Sequence, residues 1–187
     1  ALHKKVVHFR GVFPVNRVCD WSAMGHMKET QYILMHNIFY RTRTARESGM
    51  VLPKHTFYVD NLFAFQPFPY VKKLYYMDVV FYHYYIGRED QSVNEQVMIG
   101  RIDQQIKVNR MMIDIMNRQN FEGLDPHVEK YMYIYLDKIM TVTSSLLLVS
   151  GTKENLEKKK KIWAYLKKTS PKMYRRLRWS ILGISMN

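Results

Sequence analysis

Two long stretches with helical periodicity constrain the fold of this chain more than any other feature. Residues 92–119 carry apolar side chains three, four or seven positions apart, and residues 125–151 repeat that spacing over seven apolar positions. Such spacing lines apolar residues along one face of an α-helix. A third, shorter stretch over 154–168 has the same character. The second half of the chain is therefore predicted to be helical.

Helix start and stop signals frame the two long stretches. Ser92 with Glu95 has the spacing of a capping box, in which two side chains satisfy free backbone N–H groups. Asp125 can cap the second helix, and Pro126 suits its first turn. Gly151 follows the last apolar position and is typical of a helix end. These signals predict two separate helices.

The first half of the chain reads as a small mixed α and β region. Residues 5–9 and 72–87 are rich in β-branched and aromatic side chains and are predicted to be strands, with residues 71–85 mostly in the core. A short helix is predicted to stop at Gly49, and one or two helical turns are predicted just before Pro67.

The fold class predicted is α+β and helix-rich, with a small mixed β region followed by a C-terminal helical region. The division lies between residues 1–91 and 92–187, and no flexible linker separates the two parts. The chain begins in what reads as a strand, so we expect a piece of a longer protein.

Positive charge is concentrated near the C-terminus. Of the net charge of +13, residues 153–178 supply eleven Lys or Arg against two Glu. Such a segment can bind an anionic membrane or nucleic acid, and it can equally be a solvated helix face. The membrane hypothesis places an amphipathic helix on the bilayer. Its candidate contacts are Lys158, Lys159, Lys160, Lys161, Trp163 and Lys167.

Several classes of site lack support in the sequence. The seven His residues show no zinc-type spacing, and neither a D-x-D pair nor a phosphate-binding glycine loop occurs. A single cysteine, Cys19, excludes an internal disulfide and fits a reducing compartment. No uninterrupted apolar run approaches the roughly 20 residues that span a bilayer. No metal site is predicted within this chain.

The sharpest single feature is Asp60, which stands inside the apolar stretch "LPKHTFYVDNLFAF". A carboxylate is costly to bury without a partner. A helix N-cap at Asp60 or Asn61 is a sufficient structural explanation. The catalytic alternative is a general base at the wall of a pocket.

Other candidate ligand contacts lie in loops. The polar run "IGREDQSVNE" contains Arg88 and Gln91, which capping does not explain, and "DWSAMGHM" places Trp21 and His26 in a second loop. Twelve of the 26 aromatic residues fall within residues 57–85. Aromatic faces pack on sugar rings, although an aromatic core explains the same density.

Taken in order, three stretches resemble the second half of bacterial family 2 glycosyltransferases with the GT-A fold. They are "VVHFRGVFPVNRVCDWSAMGHM", "HNIFYRTRTARESGMVLPKHTFYVDN" and "PFPYVKKLYYMDVVFYHYYIGREDQSVNE", and the similarity covers about residues 5–118. The family carries an acidic pair before a D-x-x-F pattern, and only Asp60 matches it here, at the catalytic base. The nucleotide-binding half and the processive signature Q-x-x-R-W are absent, so the resemblance is to the acceptor half of a GT-A fold without its nucleotide-binding half.

The resemblance implies an inverting transfer of a sugar from a nucleotide-sugar to a glycan or lipid-linked acceptor, in cell-surface polysaccharide synthesis. Asp60 would be the base, and a Mg²⁺ or Mn²⁺ ion would lie in the other half of the full-length enzyme. We expect this stretch to be inactive alone, cytoplasmic, and located at the inner face of the plasma membrane. Homo-oligomers are compatible with the sequence. Candidate acceptor or donor contacts are Trp21, His26, Tyr58, Asn61, Arg88, Gln91 and Ser92.

A different class of function is also consistent with the sequence. A non-enzymatic basic module would dock through residues 153–178 on an anionic membrane or on nucleic acid. Nucleic acid is the weaker partner, because no recognised motif accompanies the charge. Replacing the lysines would abolish that function, whereas changing Asp60 would abolish the transferase function.

Overall fold

The computed structural model describes residues 6–28, 31–85, 91 and 94–186. Within them the chain is helix-rich, with a small two-stranded sheet, so the predicted α+β class is confirmed. The strands are β1 (Val18–Cys19) and β2 (Leu74–Tyr75). The helices are α1 (Thr42–Glu47), α2 (Val59–Phe65), α3 (Glu95–Gly100), α4 (Ile102–Arg118), α5 (Pro126–Val149), α6 (Lys153–Thr169), α7 (Pro171–Arg178) and α8 (Ile181–Ser185).

The predicted ends of α5 are those observed. The Asp125 carboxylate accepts a hydrogen bond from the His127 backbone N–H at 2.9 Å, and Pro126 is the first helical residue. Gly151 adopts φ +65° just beyond the helix, a conformation that favours glycine. The shorter helices α1 and α6 also lie where the sequence predicted them.

The first long periodic stretch forms two helices instead of one. α3 ends at Gly100, and Arg101 leaves the helical conformation with φ −110° and ψ 17°. Glycine is the least favourable ordinary residue inside a helix, and the apolar stripe alone did not reveal this break. The cap of α3 is Asn94, whose side chain accepts from the Gln96 N–H at 3.0 Å. The predicted capping residue Ser92 lies outside the described residues.

The predicted strands are mostly absent from the described part of the chain. β1 and β2 pair antiparallel, with Val18 opposite Tyr75, and the described residues 6–9 form no strand. Residues 77–85 are neither a strand nor core: their apolar side chains are largely exposed, for example Phe81 at 68%. The prediction of a mostly buried segment over 71–85 is therefore wrong. β-branched and aromatic composition favours extended backbone but does not supply a partner strand.

The core forms around α5, which packs against α4 and α6. One continuous hydrophobic cluster joins these helices to α2 and to buried residues of the first loops, such as Trp21. By length and composition α5 could cross a bilayer, with mean hydropathy 1.3, but 61% of that window is buried inside the protein. A core helix of a folded domain has this burial.

A buried polar cluster connects α4 to α5. The Thr143 hydroxyl accepts hydrogen bonds from the side-chain amides of Gln105 at 3.2 Å and Asn109 at 3.0 Å, and it donates to the Ile139 carbonyl at 2.8 Å. Thr143 and Asn109 are fully buried. Because buried donors without partners are costly, this hydroxyl fixes the register of the two helices.

We expect Thr143→Val to destabilise the fold by about 2–4 kcal/mol, because both amides lose their acceptor in a dry interior. The measurement is urea unfolding at neutral pH. Thr141→Val is the matched control: its hydroxyl bonds only the carbonyl four residues earlier, at 2.9 Å, and no amide depends on it. A loss equal to that of the control would contradict the role given to Thr143.

Candidate functional site

Asp60 lies in the first turn of α2 and is partly buried. The helix begins at Val59, and its N-cap is Tyr58, so the predicted N-cap at Asp60 or Asn61 is wrong. Tyr58 caps without a side-chain hydrogen bond and adopts the left-handed conformation at φ 67°. The carboxylate therefore lies close to backbone N–H groups of the first turn without being the cap itself.

Burial raises the pKa of the Asp60 carboxyl above its ordinary value. The backbone N–H groups of Asp60 and Asn61 and the nearby His36 act in the opposite direction, and burial outweighs them. The pKa of His36 is lowered, again mainly by burial, although the Asp60 charge raises it. Desolvation thus dominates both groups, as it does for an acid and a base held at the edge of a protein interior.

His36 stacks on tyrosine rings of the aromatic segment 77–85. Its ring stacks on Tyr82, with centroids 4.6 Å apart, and lies parallel to Tyr84 at 6.2 Å. The pKa of Tyr32 is raised, mainly by burial and to a smaller extent by the nearby Asp60 charge. Asp60 therefore has His36 and Tyr32 within electrostatic range, and His36 stacks on the exposed Tyr82 and Tyr84 rings.

One face of α5 holds both sides of this site. The Tyr131 hydroxyl accepts from the Ile33 N–H at 2.8 Å, and the Tyr135 hydroxyl donates to the Asn61 side chain at 3.2 Å. Lys138 donates to the Gln31 carbonyl at 2.8 Å. Tyr131, Tyr135 and Lys138 are spaced four and three residues apart and so share a face. They fix the loop that carries His36 against the helix that carries Asp60.

Two of the predicted contacts frame Asp60 directly. Asn61 is buried, and its amide nitrogen donates to the Tyr58 carbonyl at 3.2 Å, so its role is to hold the helix start. The Tyr58 hydroxyl is shielded from solvent and has no hydrogen-bond partner among the described residues. A positive φ strains the backbone of a tyrosine, and a buried hydroxyl without a partner costs free energy. Both features are more common at functional sites than elsewhere.

Trp21 and His26 do not join this site. Trp21 is buried, donates from Nε1 to the Val71 carbonyl at 2.8 Å and stacks on Tyr131. The proposed substrate contact is thus a core residue. His26 is exposed in the following loop, and none of the described contacts links it to Asp60.

The polar loop before α3 is described only in part. Arg88 and Ser92 lie outside the described residues. Gln91 is buried and donates to the Tyr85 carbonyl, which ties it to the end of the aromatic segment. An open depression of about 630 Å³ is lined by residues 94–97, the first two of which end the polar run that the sequence singled out.

Three of the six predicted membrane contacts on α6 are engaged within the protein. Trp163 is buried and donates from Nε1 to the Ser144 hydroxyl at 3.0 Å. Lys158 pairs with Asp103 at 2.8 Å and with Glu154 at 2.9 Å, and Lys160 pairs with Glu157 at 2.6 Å. The remaining predicted contacts are partly or fully exposed lysines: Lys159, Lys161 and Lys167.

A second carboxylate, Asp78, has the opposite chemistry. Its side chain is 7% exposed and bonds to the Tyr76 hydroxyl at 2.6 Å, to His8 Nδ1 at 2.7 Å and to Arg10. The Tyr76 and His8 bonds, with Arg10, lower the pKa of Asp78 to about 2. A carboxylate held so firmly in its charged form is a poor proton acceptor, so Asp78 is a structural residue.

Sequence reasoning missed His36, Tyr32, Tyr82 and Tyr84. They lie more than twenty residues from Asp60 along the chain and belong to no motif, so only the fold brings them together. Tyr82 and Tyr84 are two residues apart, and their rings stack with centroids 6.1 Å apart.

Comparison of the chain with models of protein families, with curated proteins and with solved structures finds no match. Within the part of the chain that the structure describes, no three His, Cys, Asp or Glu side chains group as metal ligands would.

We expect Asp60→Asn to raise the melting temperature at neutral pH. The raised pKa means that ionisation of Asp60 costs stability above that pKa, and asparagine removes the charge. A gain of 1 kcal/mol would be about 2–4 °C for a chain of this size. Calorimetry of the two proteins measures it.

Asp103→Asn is the matched control, because Asp103 occupies the same position of the first turn of α4 but is exposed and paired with Lys158. Its replacement should lower the melting temperature slightly. A lower melting temperature for Asp60→Asn as well would show that its carboxylate stabilises the fold and is no strained base.

Asp78 predicts an acid-sensitive step in stability. Because the pKa of Asp78 is lower in the folded protein, its charged form stabilises the fold at any pH above about 3.9, the pKa of an unfolded aspartate. This stabilisation disappears as the pH falls towards 2. Urea unfolding between pH 5 and pH 2 should therefore show a shallower decline in Asp78→Asn, which starts less stable. Tyr76→Phe removes the strongest donor and should give an intermediate slope; an unchanged slope in both variants would refute this assignment.

Proposed function

We propose that this chain is the acceptor-side part of an inverting glycosyltransferase of the family 2 type, with a GT-A fold, in which Asp60 is the general base. The observation that carries the proposal is the partly buried Asp60 carboxylate with its raised pKa, next to His36 and an exposed aromatic surface. The order of the sequence stretches that resemble this family supports the same assignment.

The pKa of Asp60 suits proton abstraction. A general base works best when its pKa is drawn towards the working pH, and burial shifts Asp60 in that direction. Among the described residues Asp60 makes no ion pair with Lys or Arg, and only backbone N–H groups of its own helix turn bond its carboxylate, which leaves acceptor capacity for a substrate hydroxyl. This combination separates it from Asp78, whose oxygens are occupied.

The aromatic segment supports a carbohydrate as acceptor. Tyr82 and Tyr84 are about half exposed and present stacked faces beside His36. Tyrosine rings pack on the C–H faces of sugars, and their hydroxyls bond to sugar hydroxyls. In this proposal they hold the acceptor ring.

In this proposal the chemical step is a single displacement at the anomeric carbon. Asp60 takes the proton of the acceptor hydroxyl as that oxygen forms a bond to the anomeric carbon, and the bond to the nucleoside diphosphate breaks on the opposite face. Orientation of the hydroxyl contributes most, on the order of 7–11 kcal/mol for well-placed groups. The described residues do not fit a divalent cation, so no step assigned to them passes through one.

The test is sugar transfer by the complete enzyme to which the proposal assigns this chain, with a panel of nucleotide-sugars and release of nucleoside diphosphate as the readout. Asp60→Asn should lower kcat by about 10²–10⁴-fold, the usual contribution of a general base, and leave the acceptor KM within a few-fold. The rate should fall in acid as Asp60 becomes protonated.

Asp103→Asn is again the control and should transfer at the wild-type rate. Tyr82→Ala should raise the acceptor KM more than it lowers kcat, because it removes binding common to ground and transition states. Full activity of Asp60→Asn would refute the proposal. It would favour the non-enzymatic basic module, which needs no carboxylate at this position.

A further inference from the structure

The corner between α7 and α8 exposes three large apolar side chains. Trp179 is 71% exposed, Ile181 86% and Ile184 55%. Ile181 and Ile184 are three residues apart on α8 and so share a face, and Trp179 lies just before that helix. Side chains of this size exposed together at one corner are typical of an interaction surface.

Packing of α7 and the cap of α8 fix the corner that exposes these side chains. Met173 and Leu177 bury the inner face of α7, and the Ser180 hydroxyl caps α8 through the Gly183 N–H at 2.8 Å. A Cβ on Gly183 would lie 1.8 Å from the Leu177 carbonyl oxygen, so only glycine permits this approach. The exposure of the three apolar residues is thus built into the fold.

Positive charge surrounds the exposed apolar group. Lys172, Arg175 and Arg176 are exposed on α7 at spacings that place them on the same side as Trp179. From residue 158 to residue 187 the sequence contains no Asp or Glu. Among the described residues no ion pair engages Lys172, Arg175 or Arg176, and the Arg176 guanidinium lies over the Tyr133 ring at 3.7 Å, whereas Lys158 and Lys160 on α6 are paired with carboxylates.

We propose that the α7–α8 corner docks on an anionic lipid bilayer, with Trp179, Ile181 and Ile184 in the interface and Lys172 and Arg175 against the headgroups. Tryptophan favours the membrane interface, and basic residues beside an apolar face bind anionic lipid. Nucleic acid would satisfy the charge but offers no apolar layer for the two isoleucines. This inference holds whether or not the chain is a transferase.

The chain carries its own reporter for this contact. Its other tryptophans, Trp21 and Trp163, are buried, at 2% and 6% exposure, so a change in emission on binding comes from Trp179. Adding phosphatidylcholine vesicles that contain phosphatidylglycerol should shift the emission to the blue, and brominated lipid should quench it. Pure phosphatidylcholine vesicles should give a much smaller shift. Trp179→Phe should lose the shift.

Variants separate the apolar from the ionic contribution in vesicle sedimentation. Ile181→Ser with Ile184→Ser should lower the partition coefficient at least tenfold, since two exposed side chains no longer enter the bilayer. Lys172→Glu with Arg175→Glu should lower it by more than the roughly fivefold expected for each lost positive charge.

Matched controls come from the rest of the surface. Val79→Ser removes an exposed apolar side chain elsewhere, and Lys54→Glu with Lys72→Glu reverses two exposed charges far along the chain from this corner. Both should bind vesicles nearly as the wild type does, and circular dichroism should report every variant folded. Equal losses in the controls, or binding without a change in Trp179 emission, would overturn the proposal. So would binding to duplex DNA that is as tight as to vesicles and unaffected by the isoleucine changes.

Discussion

One face of α5 holds the first half of the chain in place. Tyr131 and Tyr135 contribute rings to the core and hydroxyls to two different elements, the loop before His36 and the start of α2. Lys138 extends the same face and binds the backbone at Gln31. Short loops and a two-residue strand pair have little stability of their own. Their arrangement therefore depends on the long helix, and the relation between His36 and Asp60 depends on it too.

Asp60 and Asp78 are both at least partly buried, but their surroundings shift their pKa values in opposite directions. Asp78 gathers a tyrosine, a histidine and an arginine, and its charge is stabilised. Asp60 is left with the N–H groups of a helix start, and burial outweighs them. The neighbouring Tyr58 adopts a left-handed backbone conformation, which adds local strain, and its buried hydroxyl has no hydrogen-bond partner among the described residues. A fold optimised only for stability would relieve both features, which is the physical reason for regarding this end of α2 as a site.

Sequence patterns predicted helices better than anything else here, because α5 and α6 combine a long apolar stripe with local caps. They failed where the outcome depended on distant partners. The break at Gly100 lies within an unbroken apolar stripe. The segment 71–85, predicted to lie mostly in the core, is largely exposed, and no neighbouring strand covers residues 77–85 in the described structure. Asp60 was selected from its local contrast with apolar neighbours. His36 has no such contrast with its sequence neighbours. The apolar face of α6 with Trp163 is part of the core, and the exposed apolar side chains are Trp179, Ile181 and Ile184 at the α7–α8 corner.

In the proposed function Asp60 is the general base, and the property on which this role depends is a carboxyl pKa raised by burial. Carbon-detected NMR of the aspartate side chains, followed through an acid titration with Asp60 and Asp78 assigned from their asparagine variants, measures this directly. We expect Asp60 to titrate above the ordinary aspartate value, well separated from Asp78 near 2. A midpoint for Asp60 at or below that ordinary value would contradict it, because the carboxylate would then be stabilised by its surroundings.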